Sequence, residues 1–172
     1  MSRQSETSSA HEDSATPVIE IRELLAGEDA TAFRTLNEEW ITRHFKLEPK
    51  DIETLGDPES TILRKGGHIF LLDVDGEAAG CVALILMGDG VYELSKMAVS
   101  PRLRGQGLGR RLLEYTVTQA KDLGAKSLFL GSSSKLTNAV HLYEAVGFHH
   151  VDPATLPDMH YPRADVFMEM AL

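Results

Sequence analysis

The chain has 172 residues, 42% of them hydrophobic and 25% charged, with a net charge of −9; this suits one domain with a core of its own. Its single cysteine, Cys81, excludes an internal disulfide, no apolar run is long enough to span a bilayer, and no charged-then-apolar leader opens the sequence, so a cytoplasmic setting without a membrane partner is expected. The acidic excess argues against nucleic acid as a partner.

Residues 1–17 are rich in Ser, Thr, Glu and Asp and read as a disordered tail, which leaves 18–172 as the domain. Val18 to Glu23 alternates apolar and charged residues, a first strand. From Ala30 to Phe45, Phe33, Leu36, Trp40, Ile41, His44 and Phe45 recur at steps of three and four, an amphipathic helix. Trp40 serves either as a core anchor or as a substrate contact. Lys50 to Lys65 reads as a second, broken helix. In it Asp57-Pro58 suits an N-cap and first helical position, and Gly66-Gly67 suits a stop. Such a segment could wall an acceptor pocket.

His68 to Val74 and Ala78 to Met87 are strands joined by an Asp75-Gly76 turn. Cys81 lies in the apolar second strand, as a small buried side chain. Gly88-Asp89-Gly90 turns again into Tyr92–Val99, and Pro101 ends that strand. A glycine-rich loop follows and feeds a helix that Gly124 stops. Ser127 to Gly131 is a short buried strand, placed parallel to Tyr92–Val99 by a right-handed crossover. Asn138 to Val146 is a short helix closed by Gly147. Phe148 to Val151 begins a strand, Asp152 to Pro162 is a proline-rich loop, and Arg163 to Leu172 is a terminal alternating strand. That last strand could also pair across a homodimer.

The loop Arg104, Gly105, Gln106, Gly107, Leu108, Gly109 carries the first chemical signal. The first backbone N–H groups of a helix lack internal partners, the helix dipole adds positive charge there, and glycines let an anion come close. Between Pro101 and Lys126 there are six basic and two acidic residues, in a chain that is otherwise acidic. The spacing fits neither the dinucleotide fingerprint nor a P-loop. R-x-x-G-x-G after the strand E-L-x-K-M-A-V-x-P instead resembles the pyrophosphate loop of the GNAT superfamily of acyl-CoA-dependent N-acyltransferases. The run N-A-V-H-L-Y-E-A-V-G-F from Asn138 is similar to the family's second signature. The two follow in the family's order. The terminal H-Y-x-R-A-D-V-x-M-E-M is like that of a subgroup of small bacterial-type members.

The resemblance implies an α/β fold with a central mixed, mostly antiparallel sheet, splayed in the middle and covered by helices on both faces. It implies acetyl-CoA as co-substrate, with the pantetheine arm on the backbone of Met97, Ala98 and Val99. The pyrophosphate would lie in the loop from Arg104 through Gly105, Gln106, Gly107, Leu108 and Gly109 to Arg110. Asn138 would lie near the pantetheine and Tyr143 near the thioester sulfur. The expected reaction moves an acetyl group to a primary amine of a small molecule, amino acid or polyamine-like. A non-catalytic acyl-CoA-binding module and a protein N-terminal or lysine acetyltransferase are the alternatives.

An amine attacks only when neutral, so a base must take its proton. Glu93, whose burial can tune its basicity, is the candidate, or else a partner for Lys96. Tyr143 is the candidate proton donor to the leaving thiolate, or else a packed aromatic. Asn138 is a cofactor contact or an N-cap. Arg163 and Tyr161 either meet an acceptor carboxylate or sit at the surface. His141, His149 and His150 show no metal-ligand pattern, so no metal is expected.

Overall fold

A computed structural model describes residues 16–103, 105–157 and 162–172. The tail expected over 1–17, apart from its last two residues, falls outside the described residues, as do Arg104 and Tyr161. The chain runs β1 (Ile19–Leu24), α1 (Thr31–His44), α2 (Pro49–Gly56), β2 (His68–Val74), β3 (Glu77–Gly88) and β4 (Val91–Val99). It continues with α3 (Leu108–Asp122), β5 (Ser127–Ser132), α4 (Thr137–Val146), β6 (His149–His150) and β7 (Val166–Ala171).

The strands form one sheet in the order β1-β2-β3-β4-β5-β7-β6. All neighbours are antiparallel except β4 and β5, which are parallel and joined through α3. A parallel pair needs such a crossover, because two strands running the same way cannot be joined by a tight turn. The sheet carries one core on each face. Phe70, Leu72, Val82, Leu84 and Leu94 pack under α3 through Leu112, Leu113 and Val117. On the other side Ile69, Leu71, Cys81 and Ala83 pack against Phe33 and Ile41 of α1 and Leu55 of α2. Each strand sends alternate side chains to opposite faces, so β2 and β3 are apolar on both.

The terminal strand is not an edge: β7 is inserted between β5 and β6 and is paired on both sides. The broken helix is two pieces, α2 and a five-residue π-helical turn from Glu59 to Leu63. Asp57 accepts from the Ser60 N–H at 3.1 Å, as a residue capping the second piece should. Two expectations at the C-terminal end differ. The helix starting near Asn138 has Leu136 at its N-cap, which places Asn138 inside the first turn, where its side chain has no capping role. The strand expected to begin over Phe148–Val151 has ladder pairs at His149 and His150, and the Val151 N–H adds a bond to Phe167 O at 3.0 Å, whereas the Phe148 N–H is taken by Tyr143 O of α4 at 3.0 Å.

Two irregularities shape the middle of the sheet. The β4–β5 ladder holds from Val91–Ser127 to Glu93–Phe129 and ends there. Beyond that point β5 stays with β7 and β4 stays with β3, so the sheet opens into a fork with Glu93 at its base. The second is a bulge in β4. Cys81 faces Ala98 and Ala83 faces Ser95, so Lys96 and Met97 together span the place opposite Val82. Lys96 takes a left-handed conformation with φ 54°. The bulge shifts the alternation by one: Leu94 serves the α3 core, whereas Ala98 serves the α1 core.

Candidate active site

The fork opens into two adjoining cavities. The larger, about 670 Å³, runs from Met97, Ala98 and Val99 of β4 to the loop before α3, where Gly105, Gly107, Leu108, Gly109 and Arg110 form its wall. Asn138, Leu142 and Tyr143 of α4 close it from the other side, and Trp40 and His44 of α1 stand at its margin. The smaller, about 100 Å³, lies against the fork itself. Glu93, Lys96, Trp40, Phe45, Tyr143 and Arg163 all reach it. Trp40, Met97 and Tyr143 line both spaces and mark where they join.

The glycine loop has the backbone that an anion cradle needs. Gly105 and Gly107 have φ of 77° and 72°, and Gly107 is the N-cap of α3. An L-residue in that left-handed region is strained. The space over both Cα atoms is open, so a ligand can approach the amides directly. No acidic side chain occupies the first turn of α3, which leaves the dipole's positive end unopposed by it. The basic island is partly spent within the protein: Arg110 binds Glu114 at 2.7 Å and Arg102 binds Glu77 at 3.1 Å. Gln106 is exposed and does not line the cavity, and Arg104 lies outside the described residues. The remaining cofactor positions expected from sequence, including Asn138, stand together around one space. An elongated phosphoester with a thin arm fits these residues: open space over the glycines at one end and strand backbone without a β5 ladder partner at the fork.

Glu93 is buried at 9% exposure, at the last rung of the β4–β5 ladder. Tyr143 is half-buried, with its ring edge-on to Phe148 at 6.0 Å between centroids. Burial pushes its phenol up to about 12, so it stays protonated at neutral pH. Trp40 is half-buried and tilted against His44 at 5.1 Å, a wall residue at the junction of the cavities.

Sequence reasoning missed the charged network behind the smaller cavity. Lys96 Nζ donates to Asp51 Oδ1 at 2.6 Å, and their side chains are 3% and 0% exposed. Arg163 grips the same carboxylate with both terminal nitrogens, at 2.7 and 2.9 Å, and binds Glu48 at 3.0 Å. Asp51 Oδ2 also accepts the Glu48 N–H at 2.9 Å, as part of the capping box that starts α2. Burial works to raise the Asp51 carboxyl, but the hydrogen bonds from Arg163 and Lys96 outweigh it and hold it at about 2. Burial pulls the Lys96 ammonium below its ordinary value, and Asp51 works against that shift. Arg163 is therefore no surface residue: it lies over the Phe45 ring at 5.8 Å and forms part of the cavity wall. The partners are 45 and 112 residues apart in sequence, so no local pattern announces them. A faint sign is Lys96 itself, the one cation of β4.

Among the described residues, no group of three or more His, Cys, Asp or Glu is arranged to hold a metal ion, and no helix is long and apolar enough to cross a membrane. Cys81 is fully buried, and burial pushes its thiol up to about 12.

The model of the acetyltransferase (GNAT) family matches residues 30–148. The Uncharacterized N-acetyltransferase YjgM of Escherichia coli K12 is 31% identical over 109 residues, which cover 59% of this chain and 65% of that protein. The Uncharacterized N-acetyltransferase C1271.07c of Schizosaccharomyces pombe is 29% identical over 81% of this chain and 90% of its own length. Among solved structures, a GNAT-family acetyltransferase of Staphylococcus aureus Mu50 superposes with a TM-score of 0.80 at 21% identity, covering 90% of this chain and 99% of that one. A Bacillus subtilis acetyltransferase solved in complex with CoA has a TM-score of 0.65 at 20% identity, covering 91% and 99%.

Proposed function

Because the chain belongs to the GNAT acetyltransferase family, we propose that it transfers the acetyl group of acetyl-CoA directly to a primary amine of a small molecule. The observation behind this reading is the fork, with one cavity leading from it to the glycine loop and a second, adjoining one at Glu93. Met97, Ala98, Val99, Gly105, Gly107, Leu108, Gly109, Arg110 and Asn138 hold acetyl-CoA in the larger space, with Arg104 and Gln106 of the loop as further contacts. Acetyl-CoA brings an activated thioester. This chain's residues supply the proton traffic. Glu93 takes the proton that an ammonium must lose before it can attack. Tyr143, a phenol at neutral pH whose burial makes it a still weaker acid, donates a hydrogen bond to the departing thiolate sulfur. Trp40 and Arg163 wall the acceptor space.

The size of that space favours a small acceptor. A cavity of about 150 Å³ accommodates benzene, so 100 Å³ takes roughly four or five heavy atoms.

The test is a thiol-release assay with acetyl-CoA and a panel of small amines. Turnover should appear with at least one amine and fall about 10²-fold or more in Glu93→Gln, with CoA affinity kept. A Glu93→Gln enzyme as active as the parent would remove Glu93 from the mechanism. CoA binding with no acetylation of any amine would leave a binding module instead.

A further inference from the structure

The smaller cavity carries a charge arrangement that points to the kind of acceptor it takes. Among the described residues, three charged side chains line it: Glu93, Lys96 and Arg163. Two more touch these from behind, Asp51 and Glu48. Lys96 and Arg163 are cations in a cavity wall, which would ordinarily suggest a carboxylate ligand. Their charges, however, are already matched. Asp51 takes Lys96 at 2.6 Å and both terminal nitrogens of Arg163 at 2.7 and 2.9 Å, and Glu48 adds a third bond to Arg163 at 3.0 Å. The end-on pair of Arg163 nitrogens, one of the two forks with which a guanidinium recognises a carboxylate, is thus occupied by the protein's own, fully buried one. There an incoming carboxylate would have to displace it inside a dry wall, leaving a buried anion unpaired. Among these five side chains the two cations are matched in number by Asp51 and Glu48, and Glu93, which also acts on Lys96, adds a further negative charge. Lys135, which approaches the same Phe45 ring at 5.9 Å, is exposed, acts on Asp165, and lines the larger cavity rather than this one.

We propose that the acceptor site selects by charge: it takes an amine that carries no carboxylate close to the reacting nitrogen, and Asp51 is the residue that sets this preference by neutralising Lys96 and Arg163. The preference rests on the transferase reading above for its kinetic form, but it also holds for binding alone. Asp51 touches neither substrate; it acts through the two cations, and through Lys96 it also pins the left-handed bulge of β4.

Three amines of one chain length separate the possibilities: propylamine, β-alanine and 1,3-diaminopropane. They are compared by kcat/KM and, independently, by Kd in the presence of CoA. In the parent protein β-alanine should be at least tenfold poorer than propylamine, and the diamine equal to it or better. In Asp51→Asn the β-alanine to propylamine ratio should rise at least tenfold, while KM for acetyl-CoA stays within twofold. Should Asp51→Asn not fold, Glu48→Gln, at a half-buried position, should move the ratio the same way by a smaller factor. β-Alanine bound as well as propylamine by the parent protein overturns the proposal, as do equal or unmeasurable Kd values for all three amines. A ratio unchanged in both variants removes Asp51 from it. Ordered Kd values without acetyl transfer would overturn the transferase reading while upholding the charge selection.

Discussion

Burial pushes Tyr143 and Cys81 in the same direction, both to about 12, with different consequences. A phenol that holds its proton this firmly is a weak acid but a lasting hydrogen-bond donor, which suits stabilising a departing sulfur at a cavity wall. Tyr143→Phe should lower kcat roughly 10- to 100-fold and leave the Kd for CoA unchanged, which steady-state kinetics with a binding titration would separate; an unaltered kcat would assign Tyr143 to packing. A thiol with no exposed surface and no thiolate is inert. Cys81 should give no signal with a thiol reagent until the protein is unfolded, so any thiol counted in a native turnover assay comes from CoA. Its burial was legible in sequence from the apolar run around it. The fate of Arg163 was not. Sequence offered a carboxylate contact or a surface position, and the side chain instead grips a carboxylate 112 residues away.

At the scale of elements, β2, β3, β4, α3 and β5 follow directly from periodicity and turn residues, because each has its own local signal. The β4 bulge has none. It depends on the register against β3 and on a buried ion pair to α2, and both are long-range. Of the two roles the sequence offers Asn138, cofactor contact or cap, the cap does not hold: α4 takes Leu136 as its N-cap, two residues before Asn138. The loop before α3 was read from spacing, and its backbone gives that spacing a cause. Gly107 caps α3 at φ 72°, so Gly107→Ala should cost about 1 kcal/mol of stability. It should also weaken CoA binding, by placing a methyl group where the cradle is open. Denaturant unfolding and isothermal titration measure the two effects; a variant with the parent's Kd for CoA would show that the loop does not hold the phosphates.

For the molecule as a whole, the Asp51 network ties α2, β4 and the segment before β7 into one wall, and this makes stability depend on acid. The Asp51 carboxyl is held at about 2 against an ordinary 3.8. The folded state therefore binds its proton more weakly than the unfolded state does. Its contribution is present above about pH 4 and is lost as pH falls toward 2. The size is about 2 kcal/mol. Chemical denaturation at pH 6 and at successively lower pH should show this loss in the parent protein. Asp51→Asn should show a smaller slope over that interval, from a lower starting stability, since removing one partner strands buried cations. An identical acid slope in the variant would mean that other carboxylates govern acid unfolding.

The fork gives the centre of the sheet a property that ordinarily belongs to its margin. Past Glu93 and Phe129, facing backbone groups of β4 and β5 have no strand between them, although both strands are interior in the sheet order. Alternate amides of β4 from Leu94 to Val99 should therefore exchange with deuterium far faster than those of β3 beside them, despite similar burial of the side chains. Saturating CoA should slow that exchange along Met97 to Val99 and leave β1 and β2 unchanged. The ligand would then act as the missing rung of the sheet, completing in the bound state the ladder that the chain alone leaves open.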